Sequence, residues 1–178
     1  MKKILYLTFV AFSFITACNT SEPKKESVET YKNSYLWGTV LQLNAKSDLK
    51  PYLDKGWSTP EATHIWSNGN NSIIRMHITP PKSERLELIC NIAPFLFPSK
   101  GLTQQKVGIS INGNPVGDFI IKTPMKLVVP FSKSLIANSN QIILDFSLPN
   151  ATVGQDIGVA GEGRMLGLAF SSIAIKEL

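Results

Sequence analysis

From Tyr35 to the carboxyl end of the chain, apolar residues alternate with polar ones, and turn-forming residues interrupt the alternation at short intervals. This period of two predicts short β-strands, because successive side chains of a strand point to opposite faces of a sheet. A helical period is not sustained over three turns anywhere in the body, and only residues 45–54 suit one short turn of helix. We therefore predict an all-β fold, an antiparallel β-sandwich of jelly-roll or galactose-binding-like form with about eight strands.

The alternation places eight strands in one domain that covers residues 34–178 of the 178-residue chain. Among the turns between them, Asn112-Gly113 is the sharpest, since both residues tolerate positive φ and so suit a tight hairpin. Neither an internal repeat nor a second domain is visible. The predicted strands are Tyr35–Leu43, Ser72–Ile78, Arg85–Ile92, Lys106–Ile111, Gly117–Lys122, Met125–Val129, Gln141–Leu148 and Leu168–Ile175.

The amino terminus has the layout of an export signal. Lys2 and Lys3 precede an uncharged, mostly apolar run of 12 residues, Ile4–Ile15. Such a run is too short to span a bilayer, which needs about 20 apolar residues, and it fits the central region of a signal peptide. Residues 1–17 are therefore predicted to be removed.

The signal ends in Ile15-Thr16-Ala17-Cys18, which resembles the bacterial lipobox. The resemblance implies that Cys18 receives diacylglycerol and an amide-linked acyl chain such as palmitate, and that cleavage occurs before it. The alternative is an ordinary secretory signal that ends near a cysteine. Polar residues 18–33 would tether the domain to a membrane of the bacterial cell envelope, facing the periplasm or the exterior. The sequence does not indicate which membrane of the envelope carries the anchor.

The net charge does not indicate a nucleic-acid partner, and the cysteine content does not allow a disulfide framework. The formal charge is +5, and without Lys2 and Lys3 there are 16 basic and 13 acidic residues, a net +3 that is too weak to indicate nucleic acid. Once Cys18 carries lipid, Cys90 has no partner for a disulfide within the chain. The alternation around Cys90 predicts a buried, inert thiol.

Catalytic and metal-binding motifs are missing from the sequence. The serine-elbow, zinc-protease and phosphate-loop patterns do not occur, and His64 and His77 stand without the spacing of zinc ligands. We therefore expect neither enzymatic activity nor a cofactor. A calcium ion held by loop carbonyls and carboxylates would leave no recognisable motif in the sequence. A hydrolase would need a pair of carboxylates from the acids Glu61, Asp145, Asp156 and Glu162.

The segment 56–69, GWSTPEATHIWSNG, concentrates aromatic and polar side chains in fourteen positions. Tryptophan rings beside hydrogen-bonding groups suit a sugar, whose ring has an apolar face and a rim of hydroxyls. The alternative is structural, since small sandwiches often bury a tryptophan, and it is favoured for Trp66 and evenly balanced for Trp57. The candidate ligand-binding residues of this segment are Trp57, Glu61, His64, Trp66 and Asn68.

Arg164 extends the candidate site, and an apolar loop forms a separate feature. Arg164 follows a glycine-rich bend, where it would bind a carboxylate of a ligand or tie its loop to Glu61 or Asp156. The loop Pro94–Pro98 is apolar, and it either closes one end of the sandwich or forms an exposed patch for a partner.

Short motifs spread over most of residues 35–178 resemble a domain that bacteria attach to the carboxyl end of membrane-embedded glycosyltransferases. The resemblance implies a β-sandwich on the outer side of the membrane that handles envelope glycans. Gly161 and Gly163 depart from the pattern, and a predicted lipid anchor precedes the domain in place of a transferase, so transferase activity is not carried over. The motifs are Gly56-Trp57-Ser58 with Pro60-Glu61, Trp66-Ser67-Asn68-Gly69, Gln105-Lys106-Val107, Ile111-Asn112-Gly113, Val129-Pro130-Phe131 and Arg164-Met165-Leu166-Gly167-Leu168-Ala169.

These observations predict a lipid-anchored, non-catalytic envelope protein that binds a glycan or a glycolipid. A structural module that docks onto an envelope protein through Pro94–Pro98 is the second hypothesis. A glycan hydrolase that uses Glu61 and another acid is the third.

Overall fold

The computed structural model describes residues 34–136 and 139–178. The predicted signal peptide, the lipidation site Cys18 and the tether lie outside these residues and stay predictions. Within the described residues, the regular structure is β-strand apart from three short 3-10 helices, Pro98–Lys100, Lys133–Ile136 and Gly154–Ile157. None of these helices has the length and apolar character needed to cross a bilayer.

The strands form two antiparallel sheets, which confirms the predicted all-β sandwich. Sheet I has the order β1–β10–β4–β7, with β2 and β9 also paired to β10, and sheet II has the order β3–β8–β5–β6. The strands are β1 (Val40–Gln42), β2 (Ile65–Asn68), β3 (Asn71–His77), β4 (Arg85–Pro94), β5 (Gln105–Ile111), β6 (Asn114–Ile121), β7 (Met125–Ser132), β8 (Gln141–Ser147), β9 (Thr152–Val153) and β10 (Met165–Glu177).

The core lies between the two sheets and follows from the alternation of the strands. On β4, for example, every second side chain is buried, from Leu86 through Leu88 and Cys90 to Ile92. Cys90 is fully buried and free, as predicted, and burial raises the pKa of its thiol far above the ordinary value. Such a thiol is inert because the nucleophilic form is the thiolate.

The structure corrects two details of the predicted strands. The strand over Tyr35–Leu43 is limited to β1, because Gly38 takes a left-handed conformation at φ +84° and leaves Tyr35 in an isolated bridge. Two strands, β2 and β9, were not predicted, since four and two residues are too short to show a period. Residues 45–54 contain no regular helix but do contain one helical turn, closed by the bond of 3.0 Å from the N–H of Leu53 to the carbonyl of Leu49, as predicted. The hairpin at Asn112-Gly113 is confirmed by φ values of 49° and 80°.

β10 organises sheet I, and a buried serine shapes its pairing with β2. The register between the two strands shifts between Leu166 and Ala169. At this bulge the hydroxyl of Ser67 accepts hydrogen bonds from the backbone N–H groups of Gly167 and Leu168, at 3.2 and 2.9 Å. Ser67 is fully buried, so water does not reach these two donors. The hydroxyl therefore replaces the acceptor that a regular ladder would supply.

We predict that Ser67→Ala destabilises the fold by about 3 kcal/mol, because two buried N–H groups lose their acceptor. Urea unfolding followed by circular dichroism measures the change. Ser72→Ala is the matched control: Ser72 is equally buried, but its hydroxyl only donates one bond to the carbonyl of Gly56. An equal loss in the two variants would contradict the special role of Ser67.

Candidate functional site

A groove of about 520 Å³ crosses the outer face of sheet I, from β2 over β10 and β4 to the start of β7. Its position on the outer face follows from alternation, because Ile65 on β2 and Phe170 on β10 are buried in the core and their neighbours point away from it. The lining residues come from each strand in turn: Thr63, His64 and Trp66 at β2, Ala169 and Ser171 on β10, Asn91, Ile92 and Ala93 on β4, and Pro124 and Met125 at β7.

Small residues form the floor of this groove, and larger ones stand at its two ends. Trp66 pairs with Ala169, and Ala169 pairs with Ala93, so the three form one row across adjacent strands. At the β7 end the groove is lined by Pro124 and by Met125, which pairs with Ile92 and is 41% exposed. Three strand spacings separate β2 from β7, about 14 Å. The groove is thus long enough for a short oligosaccharide.

Aromatic contacts hold the ring of Trp66 in place. The His64 ring lies 5.3 Å from the ring of Trp66, centroid to centroid, and the Phe95 ring lies 5.8 Å from it, each at an interplanar angle of 84°. Phe95 belongs to the loop Pro94–Pro98, and its carbonyl accepts a hydrogen bond of 2.8 Å from the buried side chain of Gln105. The loop is largely half-buried, which favours a structural closing role over an exposed patch.

A network of charged side chains lies behind His64. The guanidinium of Arg164 donates to both carboxylate oxygens of Glu162, at 2.8 and 2.5 Å, and to Oε1 of Glu61 at 3.0 Å. The other oxygen of Glu61 lies 3.3 Å from Nε2 of His64. Of the two predicted ties, the one between Arg164 and Glu61 is confirmed, and Glu162 is a further partner that was not predicted.

Arg164 also sets the electrostatics of this network. Its hydrogen bonds to Glu162 lower the pKa of that carboxyl from 4.5 to about 2, and the two carboxylates raise the pKa of Arg164. A general acid for glycoside hydrolysis needs a raised pKa, so the environment of Glu162 is the opposite of what that role requires. Among the described residues, no group of three His, Cys, Asp or Glu side chains is arranged to hold a metal.

The structure separates the two tryptophans of segment 56–69. Trp57 is half-buried against the core, where its ring contacts Phe146 and Phe170 and its N–H donates to the carbonyl of Ile73 at 2.8 Å. It does not line the groove. Trp66, for which the core was favoured, stands on the outer face. The tryptophan with the stronger structural role is therefore Trp57.

The remaining sequence-predicted residues divide between the groove and its surroundings. His64 lines the groove, whereas Glu61 and Arg164 lie in the network behind it. Asn68 lies outside the groove lining, and its side-chain oxygen accepts a hydrogen bond of 3.1 Å from the backbone of Met165. The structure thus brings Glu61, His64, Trp66 and Arg164 together.

Sequence reasoning missed the residues that the sheet contributes to the groove. Asn91 is exposed on β4, and its side-chain N–H₂ donates to the hydroxyl of Ser172 at 2.8 Å. This bond leaves the amide oxygen of Asn91 as an acceptor beside the floor formed by Ala93 and Ala169. Alternation around Cys90 does predict that Asn91 points outward. Asn91 lies near Trp66 only because β4 and β2 both pair with β10, and alternation alone does not reveal that pairing.

No protein-family model matches the chain, and comparison with curated proteins yields no relative. Among solved structures, it is similar to the GH115 4-O-methyl-α-glucuronidase BtGH115A at a TM-score of 0.48 and 8% identity, over 82% of this chain and 18% of that chain. The chain thus spans less than a fifth of that enzyme's length.

Two similar structures are carbohydrate-binding modules. One is the CBM36-1 domain of a multidomain xylanase from the hindgut metagenome of Trinervitermes trinervoides, with a TM-score of 0.43, 9% identity, and coverage of 79% of this chain and 97% of that one. The other is a lysine-to-alanine mutant of the family 29 module CBM29-2, with a TM-score of 0.42, 12% identity, and coverage of 78% and 90%. At these scores the similarities carry no argument about ligand or activity.

We predict that Trp57→Ala lowers the free energy of unfolding by about 3 kcal/mol, because it removes a large side chain packed on the core. Chemical unfolding monitored by circular dichroism measures the loss. A loss below about 1 kcal/mol would show that the indole of Trp57 contributes little to the core.

The lowered pKa of Glu162 predicts a pH dependence of stability. The interaction of Glu162 with Arg164 contributes its full stabilisation above about pH 4.5, and this contribution is lost as the pH falls toward about 2. Urea unfolding of the wild type and Glu162→Gln between about pH 6 and pH 2 tests this expectation. The difference in the free energy of unfolding between the two proteins should shrink as the pH falls over that interval. A difference that stays constant would contradict the stabilising interaction between Glu162 and Arg164.

Proposed function

We propose that the protein binds a saccharide in the groove of sheet I, with Trp66 as the stacking platform. The observation that supports this best is one half-buried indole, held by two aromatic neighbours, beside a floor of alanines and a free amide oxygen. Such a surface matches a sugar ring, whose apolar face packs on an aromatic ring while its hydroxyls form hydrogen bonds.

Each neighbour of Trp66 has a part in this proposal. Ala93 and Ala169 allow the ligand to approach the sheet, because larger side chains at these positions would fill the groove. The amide oxygen of Asn91 accepts a hydrogen bond from a hydroxyl, and His64 offers a polar ring edge at the other end. The groove is open and mostly apolar, so we expect a weak dissociation constant of about 0.1 to 1 mM.

The proposed role is non-catalytic. Glu61 and Glu162, the two carboxylates next to the groove, share hydrogen bonds from Arg164, and the low pKa of Glu162 disfavours a proton donor at that position. A hydrolase would need one carboxyl kept protonated near neutral pH. Binding without chemistry therefore accounts for this arrangement better than catalysis does.

The proposal also places the protein in the bacterial cell envelope, anchored through lipid on Cys18. This part rests on the signal-like residues 1–17 and the lipobox-like Ile15–Cys18 alone. A lipid anchor would hold a weak glycan-binding site close to surface polysaccharide, where a high local concentration offsets a modest affinity. Handling of envelope glycans is also what the resemblance to the glycosyltransferase-attached domain implies.

We predict that Trp66→Ala weakens saccharide binding at least tenfold, or about 1.4 kcal/mol, while the protein stays folded. A glycan array identifies the ligand, and isothermal titration calorimetry measures the change. Trp37→Ala is the matched control, because Trp37 is also half-buried but lies outside the groove lining. Equal affinities in wild type and Trp66→Ala would contradict the proposal.

Docking onto an envelope protein through Pro94–Pro98 is the second hypothesis from the sequence, and the half-buried state of this loop supports it less well than saccharide binding. Its distinguishing variant is Phe97→Ser, since Phe97 belongs to this loop, whereas Phe95 also supports Trp66. A negative glycan array, together with a crosslinked partner that Phe97→Ser loses and Trp66→Ala keeps, would favour docking.

A further inference from the structure

We propose that Arg164, which lies outside the groove, is a positioning residue that sets the ligand affinity of Trp66 through Glu61 and His64. This inference rests on the proposed function, because it concerns the same groove. It changes the role predicted for Arg164 from the sequence, which was a direct contact with a ligand or a tie within the loop.

The first step of the connection is the fixed geometry of Arg164. Three of its side-chain hydrogen bonds go to two carboxylates, two of them as a fork on Glu162 and the third on Glu61. The backbone N–H of Arg164 adds a bond of 3.0 Å to Glu162. A planar guanidinium with this many partners has one orientation, so it fixes the carboxylate of Glu61 in space.

The second step leads from Glu61 to His64. Oxygen Oε2 of Glu61 lies 3.3 Å from Nε2 of His64, an atom that is buried from solvent and makes no well-aligned hydrogen bond. Nδ1 of the same ring lies 3.0 Å from the hydroxyl of Thr63. The imidazole is therefore hydrogen-bonded at Nδ1 and lies against the Glu61 carboxylate at Nε2, so a displaced Glu61 would leave that side of the ring without its neighbour.

The third step leads from His64 to the platform. The imidazole meets the indole of Trp66 at 84°, as one of the two rings that support it. Stacking on a sugar depends on the orientation of the indole plane. If the ring is mobile before binding, the entropy lost in ordering it lowers the affinity. A change at Arg164 is thus expected to reach the ligand even though Arg164 does not line the groove.

The test compares Arg164→Met with the wild type in full-length protein. The probe is whichever of cellohexaose, xylotriose and chitotriose binds the wild type most tightly, and calorimetry measures its affinity. We expect Arg164→Met to weaken binding about tenfold, and the isosteric Glu61→Gln, which retains the fold more safely, to weaken it in the same direction. Arg75→Met is the control, since Arg75 on β3 of sheet II forms an ion pair with Asp54 at a similar exposure and lies outside the groove lining.

The background of His64→Ala separates positioning from a direct contact. If Arg164 acts through His64, Arg164→Met has no further effect in that background. An undiminished tenfold effect there, or no effect in the wild type, would overturn the inference. A different result would contradict the proposed function itself, namely equal saccharide affinity in the wild type and Trp66→Ala.

A measurement without ligand tests the same connection. In protein labelled with 5-fluorotryptophan, the ¹⁹F resonance of Trp66 is assigned by its absence in Trp66→Phe. We expect Arg164→Met to shift or broaden this resonance and to leave those of Trp37 and Trp57 in place, while Arg75→Met changes none of them. An unchanged Trp66 resonance in Arg164→Met and Glu61→Gln would overturn the proposal, whichever saccharide binds.

Discussion

The buried hydroxyl of Ser67 is the interaction on which the placement of the candidate site depends. Two adjacent N–H groups of β10 point at it where the ladder to β2 is out of register. Because a strand presents alternate residues to opposite faces, burial of Ser67 and Ile65 puts Trp66 on the outer face. The bulge then aligns Trp66 with Ala169 and Ala93. The buried residues Ile65 and Ser67 of β2 thus determine which side chain β2 presents on the surface of sheet I.

The same local geometry explains why two tryptophans nine residues apart have different environments. Trp57 forms an isolated bridge with Ser67, and its ring packs against Phe146 and Phe170. Trp66 lies one residue before Ser67 and points to the opposite side of the sheet. The core therefore receives one indole and the groove the other. Stability and binding can change independently at these two positions, which makes the proposed site accessible to mutation.

The sequence predicted the fold well where strands are long and half-buried. Alternation over Arg85–Ile92 or Gln141–Leu148 reports a strand because one face meets the core. It failed at β2, which has only four residues, and at Tyr35–Leu43, where Gly38 interrupts the strand. The residues Glu61, His64 and Trp66 were found because they are close in sequence. Ala93, Asn91 and Ala169 could not be connected to them, since their proximity comes from strand pairing across more than seventy positions of the chain.

An NMR titration of methyl-labelled protein, with the saccharide that binds best on an array, would locate the binding site directly. A saccharide bound in the groove should shift mainly the resonances of the methyl groups of Ala93, Ala169 and Met125, which line it. The methyl groups of Ile120, exposed on sheet II, should stay unchanged. Saturable shifts on sheet II with a silent groove would contradict the assignment of the binding site to the outer face of sheet I.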